Sequence, residues 1–237
     1  MKSVALMYHG ISSAQHPPSA MPAEDLPYAL EEQAFSRHLK CISAAPVLLT
    51  FDDGDAGWYY SALPLLEKAG LRALFFVTPA LIGTPGYCSW EQLHALVEAG
   101  HQVGSHGMTH RFLPDLDEQD CLQELSASKQ EIEKRLGISV ESVSFPGGRY
   151  GARELAFARR AGYRQCYSSV PGRLQEKAFC QPRVAVRAQT SEAWLVQLLQ
   201  GHWRVWLALR GSYLVKATLK KLLGNRGYHA LYRIARG

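Results

Sequence analysis

Cysteines are few in this 237-residue chain, and none of the five belongs to a C-x-x-C pair. An odd number of cysteines without a recurring spacing indicates free thiols in a reducing compartment rather than a disulfide framework. No apolar run approaches the length of a membrane-spanning helix, and the first residues become polar too soon for a signal peptide. We therefore expect a cytoplasmic globular protein, long enough for one large domain or two small ones.

Acidic residues are absent from the tail, residues 201–237, and the rest of the chain has 21 acidic against 18 basic side chains. The sequence pI of about 9.0 is therefore a property of the tail. The tail is expected to be an imperfectly amphipathic helix, which either caps the body in solvent or binds an anionic membrane surface. Its basic residues match no nucleic-acid-binding module, so no nucleic-acid partner is expected. They are Arg204, Arg210, Lys216, Lys220, Lys221, Arg226, Arg233 and Arg236.

Apolar, β-branched or aromatic runs alternate with helical stretches in the first 200 residues. The predicted strands are residues 3–8, 47–51, 73–78, 102–105, 142–145, 165–168 and 183–186. The predicted helices are residues 31–43, 58–69, 90–99, 117–136, 153–161 and 191–200. In the clearest helix, 117–136, Asp117 can cap the first turn and Gly137 can end the last.

This alternation predicts an α/β protein with a parallel sheet, and seven repeats in one domain favour a closed (β/α) barrel over an open sheet. We expect the barrel to cover residues 1–200 and a basic helical extension to cover residues 201–237. The proline-rich stretch 12–27 is predicted to be a surface loop that overhangs the barrel. Because barrel active sites lie at the carboxyl ends of strands, polar residues that follow strands are candidates for chemistry.

Three short motifs follow predicted strands: Thr50-Phe51-Asp52-Asp53-Gly54, His106-Gly107-Met108-Thr109-His110 and Phe145-Pro146-Gly147-Gly148. The first offers two adjacent carboxylates, and the second offers two imidazoles four residues apart. Two imidazole nitrogens and one carboxylate oxygen can hold a divalent metal and leave a position open for water, which suits hydrolysis. The second carboxylate is then free to act as a base.

The order and spacing of these motifs, over roughly residues 3–190, resemble the polysaccharide deacetylases of carbohydrate esterase family 4. The resemblance implies a distorted (β/α) barrel of about seven strands that uses a divalent metal to remove acetyl groups from sugars. It implies that Asp53, His106 and His110 ligate the metal and that Asp52 is the general base. Zinc suits this ligand set, and cobalt and nickel are compatible with it.

The N-terminal Tyr8-His9 resembles the permuted branch of the family, in which a Tyr-His near the N-terminus supplies the general acid. On this resemblance, His9 protonates the leaving amine. The backbone N–H of Gly147 is expected to bind the oxyanion within the third motif, which also contains Pro146. Trp58, which begins a helix after the first motif, is expected either to stack on a sugar ring or to pack in the core.

The third motif departs from the family pattern. Ser144 begins the stretch aligned with the family's Arg-Pro-Pro-Tyr-Gly, so the arginine that steadies the catalytic aspartate is missing from its place. Arg149 is the nearby candidate to reach that carboxylate or the substrate. The family's usual Ser or Thr after the first histidine is also replaced, by Gly107.

The sequence therefore predicts a metal-dependent N-deacetylase of an N-acetylated sugar or glycan. One alternative is a deformylase or deacylase of a lipid-linked or small-molecule sugar, which the basic tail favours and which would lie at the inner face of the membrane. A second alternative is a non-catalytic carbohydrate-binding relative, which the altered third motif suggests.

Overall fold

The computed structural model describes residues 3–14, 17, 26–42, 45–215 and 218. Most of the predicted loop 12–27 and nearly all of the tail beyond residue 215 lie outside the described residues. The chain divides into two compact units, Met1–Glu192 and Ala193–Gly237. The three motifs and His9 all lie in the first unit.

An eight-stranded parallel sheet forms the centre of the first unit, with strand order β10-β1-β4-β5-β6-β7-β8-β9. Strands β2 and β3 form a separate parallel pair. The strands are β1 (Val4–Tyr8), β2 (Ile11–Ser12), β3 (Leu30–Glu31), β4 (Val47–Asp53), β5 (Ala73–Val77), β6 (Gln102–Ser105), β7 (Ser142–Ser144), β8 (Gln165–Tyr167), β9 (Cys180–Gln181) and β10 (Val184–Ala185).

In the described part of the chain, the α-helices between or after these strands are α1 (Glu32–Ile42), α2 (Leu63–Ala69), α3 (Trp90–Glu98), α4 (Glu118–Leu136), α5 (Ala152–Arg160) and α6 (Glu192–Gln200), and residues 203–215 are also helical. The predicted caps of α4 are confirmed: the Asp117 side chain accepts the Asp120 N–H, and Gly137 ends the helix in the left-handed conformation. The helix predicted over residues 58–69 begins instead with a π-helical turn, Trp58–Ala62, before α2.

The predicted parallel α/β architecture is confirmed, and each of the seven predicted strands is present. The sheet has one strand more, β9, whose two residues are too few to give a periodic signal in the sequence. Only Pro182 and Arg183 separate β9 from β10, although these strands stand at opposite ends of the strand order. The chain between them therefore crosses from one edge of the curled sheet to the other.

Strand β4 determines which side chains face the interior of the curl. Successive side chains of a strand point to opposite faces, so Thr50 and Asp52 share one face and Phe51 lies on the other. The Phe51 ring packs against Tyr8 and Phe75 at centroid distances of 5.4 and 4.8 Å. The opposite face holds polar groups at Thr50 and Asp52, both of them buried.

Candidate active site

Two adjacent carboxylates end strand β4 in different surroundings. Asp52 is 2% exposed and points into the curl of the sheet, whereas Asp53 lies at the rim beside the two motif histidines. Asp53 has a φ of 92°, in the region that favours glycine, and Gly54 follows with a φ of 126°. This turn at the end of β4 allows neighbouring aspartates to face different partners.

Asp53, His106 and His110 form a cluster whose ligand atoms all lie within 4.8 Å of one another. The Asp53 Oδ1 atom is 3.4 Å from the His106 Nε2 and 3.3 Å from the His110 Nε2. Atoms that share one tetrahedral zinc ion at about 2.0–2.1 Å lie roughly 3.3 Å apart. Asp53 Oδ1 is also buried without a hydrogen bond of good geometry among the described residues. These three side chains therefore fit a divalent cation.

The protonation of His106 agrees with such a role. Its Nδ1 lies 2.9 Å from the Ser144 carbonyl oxygen, which can only accept, so Nδ1 carries the hydrogen and Nε2 presents a lone pair towards Asp53. Burial lowers the pKa of His106 to about 4, so the imidazole is neutral near pH 7. The neutral form is the one that binds a metal.

Backbone strain is concentrated at the same cluster. Among the described residues, Asp53 and His110 are the two non-glycine residues with positive φ, 92° and 63°. Such conformations cost of the order of 1–3 kcal/mol each and persist where the surrounding structure holds them, commonly at functional sites. Two of the three candidate ligands are thus held in conformations that their side chains disfavour.

Asp52 is paired with a fully buried arginine, Arg183. Arg183 Nη1 and Nη2 donate to Asp52 Oδ1 and Oδ2 at 2.7 Å each, and Ser144 Oγ donates to Oδ2 at 3.0 Å. Burial raises the pKa of Asp52, but the charge and the hydrogen bonds of Arg183 outweigh burial and hold the pKa below its ordinary value. Asp52 is therefore ionised near neutral pH.

A family model described as "Polysaccharide deacetylase" matches residues 40–166, which include both aspartates, both histidines and the third motif. The chain belongs to this polysaccharide deacetylase family. The match does not extend to His9, so membership of the permuted branch stays a prediction.

The match to each curated relative covers only part of this chain and part of the relative. The chain is 32% identical over 126 residues to YxkH of Bacillus subtilis, whose name places it among the polysaccharide deacetylases; the matched part is 53% of this chain and 45% of YxkH. It is 29% identical over 118 residues to the peptidoglycan-N-acetylglucosamine deacetylase PgdA of Listeria monocytogenes, which is 49% of this chain and 24% of PgdA. The chain thus spans less than half the length of these curated relatives.

Solved structures support the same fold. The deacetylase PplD of Streptococcus pyogenes, determined in complex with acetate, superimposes with a TM-score of 0.72 at 22% identity, covering 84% of this chain and 98% of PplD. At this identity the likeness concerns the fold alone.

The arginine that this chain lacks in its third motif is replaced by Arg183, which comes from the crossing between β9 and β10. Its five N–H groups all have acceptors: the two Asp52 oxygens, Thr50 Oγ1 at 3.1 Å, Ser144 Oγ at 2.6 Å and the Ser168 carbonyl at 3.0 Å. Ser144 stands where the family's arginine is expected, and its short side chain bonds the Arg183 guanidinium. Sequence reasoning missed Arg183 because its partner Asp52 lies 131 residues away.

Arg149 does not reach Asp52. Its guanidinium makes two hydrogen bonds to Asp115, at 2.9 and 2.5 Å, and lies 4.6 Å from the centre of the Phe112 ring. Its contribution to substrate binding stays a prediction. The observed contacts join the loop after β7 to the loop that follows His110.

Gly147 lies in this third-motif loop with a φ of 62°, and a Cβ there would come within 2.6 Å of the Phe112 ring. Only glycine fits both constraints. Pro146 is buried, and its Cγ would be 3.5 Å from a Cβ on Gly107. The third-motif loop therefore packs closely on the loop of residues 106–110, which carries both candidate histidine ligands. The roles predicted for Gly147 at the oxyanion and for Pro146 stay predictions.

His9 follows β1, as predicted, and lies close enough to Asp52 and Asp53 that a positive charge on its ring would lower the pKa of both carboxyls. The His9 ring lies 4.7 Å from that of Tyr28, and its Nδ1 is buried without a hydrogen-bond partner among the described residues.

Trp58 Nε1 donates to the His9 carbonyl at 2.8 Å. Of the two roles expected for Trp58, the structure shows packing in the core, because its side chain is fully buried against Phe51 and Phe75. Trp58 also holds the backbone of His9.

We expect Arg183→Met to lower the free energy of unfolding by about 3–5 kcal/mol at pH 7, because it leaves the buried Asp52 carboxylate unpaired. The measurement is urea unfolding followed by circular dichroism. Arg149→Met is the matched control: its partner Asp115 is 52% exposed, so the loss should be no more than about 1 kcal/mol.

The effect of Arg183→Met should also depend on pH. Because the folded pKa of Asp52 is lowered, the ion pair stabilises above the unfolded pKa of about 3.9, and this contribution is lost as the pH falls through the folded pKa. The difference between wild type and variant should therefore shrink as the pH approaches and passes below about 4. Equal losses in the two arginine variants, or a difference that does not change with pH, would contradict this account.

Proposed function

We propose that this protein is a metal-dependent N-deacetylase that hydrolyses the acetamido group of an N-acetylated sugar or glycan. The observation that carries the proposal is the division of roles between adjacent carboxylates. Asp53 joins two imidazoles in a cation-binding cluster, while Asp52 is held ionised beside it by Arg183. A base next to a cation site is the arrangement that amide hydrolysis with water requires.

The residues supply the proton transfers as follows. When bound, a divalent cation supplies a Lewis acid that polarises a carbonyl and lowers the pKa of water. Asp52 Oδ2 lies 3.9 Å from His106 Nε2, so the ionised Asp52 carboxylate is next to the cluster and accepts the proton of the attacking water. The Gly147 N–H stabilises the developing oxyanion. As the C–N bond breaks, His9 donates a proton to the amine, and acetate is the second product.

Two considerations support catalysis over carbohydrate binding alone. The altered third motif suggested a non-catalytic relative because the arginine beside the base was missing, and Arg183 supplies a guanidinium there. PgdA is named for action on peptidoglycan N-acetylglucosamine. Chitooligosaccharides and peptidoglycan fragments are therefore the substrates to test first.

The proposal is tested by measuring acetate and free amine after the protein is stripped by a chelator and reloaded with Zn²⁺ or Co²⁺. We expect release that depends on added metal. Asp52→Asn should lower turnover about 10²- to 10⁴-fold, as for loss of a general base, while zinc still binds. His106→Ala should lose both zinc and turnover.

Asp120→Asn, at an exposed carboxylate paired with Arg111, is the control and should keep full activity. Near-complete activity in Asp52→Asn would show that another group is the base. Binding of the oligosaccharide by zinc-loaded protein without acetate release would favour the non-catalytic alternative.

We also propose that the C-terminal unit binds anionic membranes. The helical residues 203–215 carry four large exposed apolar side chains, and three of them, Trp203, Leu207 and Leu214, are 67%, 63% and 62% exposed. Their spacing of four and seven residues places them on one face. Among the described residues, no helix is long and apolar enough to span a membrane. An exposed apolar face in a tail with eight basic and no acidic residues suits an anionic lipid surface.

This second proposal would bring the enzyme to a lipid-linked sugar, the deformylase or deacylase alternative, and would place it at the inner face of the membrane. Co-sedimentation of the full chain should be stronger with vesicles containing phosphatidylglycerol than with phosphatidylcholine vesicles, and should weaken with salt. A triple Trp203→Ser, Leu207→Ser, Leu214→Ser variant should bind at least about tenfold more weakly. Leu26→Ser, at another exposed leucine, should bind like the wild type.

Equal binding to both kinds of vesicle, or no binding, would contradict the membrane proposal. Concentration-dependent dimerisation in sedimentation that the triple variant abolishes would show instead that the apolar face binds a second copy of the chain.

A further inference from the structure

The metal-ligand loop, residues 106–110, is bonded to a residue outside every motif, Glu124 of helix α4. Glu124 is 6% exposed. Its Oε2 accepts the backbone N–H groups of Met108 and Thr109 at 2.9 Å each, and its Oε1 accepts the Thr109 hydroxyl at 2.5 Å. Among the described residues, no basic side chain forms an ion pair with Glu124. The loop therefore supplies the hydrogen bonds that this buried carboxylate needs.

One turn further along α4, Ser128 supports the same loop through Ser105 at the end of β6. The Ser128 Oγ lies 2.6 Å from Ser105 Oγ, which accepts the Gly107 N–H at 3.1 Å. Residues four apart share one face of a helix, so one face of α4 bonds the N–H groups of residues 108 and 109 directly and supports that of residue 107 through Ser105. These are all the backbone N–H groups between the two candidate histidine ligands.

These bonds lie beside a strained residue. His110 has a φ of 63°, which its side chain disfavours, whereas the φ of 78° at Gly107 is one that glycine adopts freely. A Cβ on Gly107 would lie 3.4 Å from Glu124 Oε2. The family's usual Ser or Thr at this position is thus replaced by a glycine that the Glu124 carboxylate approaches closely.

We propose that Glu124 is a positioning residue for the metal ligands: its carboxylate holds residues 106–110 so that both imidazoles face Asp53 Oδ1 before a cation binds. This rests on the proposed metal site. Groups that orient metal ligands without touching the metal typically contribute 10- to 100-fold to affinity.

The test is zinc affinity, measured by competition with a chromophoric chelator on folded protein, which does not depend on turnover. We expect Glu124→Ala to weaken zinc binding about 10- to 100-fold. Glu124→Gln should stay within about tenfold of the wild type, because an amide oxygen can accept the two N–H groups while its NH₂ donates to the Thr109 hydroxyl. Glu154→Ala is the matched control.

Glu154 is likewise buried, at 3% exposed, and accepts the Gly151 N–H at 2.6 Å in α5. Glu154→Ala should lower the unfolding temperature and leave zinc affinity unchanged. Where Glu124→Ala does not fold, Glu124→Asp replaces it: it keeps the charge but shortens the side chain, so it too should bind zinc more weakly.

Wild-type zinc affinity in Glu124→Ala, or in Glu124→Asp where the alanine variant does not fold, would overturn the positioning role and leave the proposed deacetylase intact. Equal weakening by Glu154→Ala would overturn it as well, since loss of stability would then explain the effect. A wild-type protein that binds no zinc, cobalt or nickel would overturn both the metal site and the role of Glu124.

Discussion

The buried ion pair between Asp52 and Arg183 is the constraint on which the remaining structure depends. A carboxylate placed inside a curled sheet needs a cation and hydrogen bonds, since burial alone disfavours its charged form. Arg183 meets this need and also bonds Thr50 on β4, Ser144 on β7 and the carbonyl of Ser168 after β8. One side chain thus ties the two edges of the sheet to its centre. The crossing between β9 and β10 and the ionisation of the candidate base are consequences of the same contact.

Adjacent like charges explain the rest of the site. Asp52 and Asp53 would repel each other if both were ionised without partners. Arg183 compensates the charge of Asp52. Asp53 instead faces the imidazoles of His106 and His110 at 3.4 and 3.3 Å, and a divalent cation bound between the three side chains would compensate its charge. The backbone strain falls on this second group, at Asp53 and His110, and the hydrogen bonds from α4 oppose it. Hydrogen bonds and an ion pair within the protein thus stabilise the Asp52 carboxylate, whereas the cluster of Asp53, His106 and His110 is arranged as a candidate cation site.

The sequence predicted the features that depend on local pattern and missed those that depend on distant contacts. Strand β6 and the caps of α4 follow from hydrophobic periodicity and capping chemistry, and the aspartates and histidines follow strands as parallel topology requires. Arg183 lies between two strands of two residues each, which are too short to give a periodic pattern. Glu124 lies within helix α4, and no motif distinguishes it from the other polar residues of that helix. The sequence leaves two roles open for Trp58, because an aromatic residue after a motif can face a ligand or the core, and only its packing against Phe51 and Phe75 decides between them.

The relocation of the arginine also explains how a departure from a motif can preserve a site. The pKa of a carboxylate depends on the position of the guanidinium group beside it and not on which strand carries the arginine. A serine at position 144 is compatible with the site because it leaves room for Arg183 and also bonds it at 2.6 Å. The family match over residues 40–166 covers the metal cluster and Asp52, but neither Arg183 nor His9. Family membership therefore follows from the part of the site that holds the cation-binding cluster and Asp52, while Arg183, which pairs with the candidate base, and His9, the proposed acid, lie outside the matched residues, next to β10 and β1.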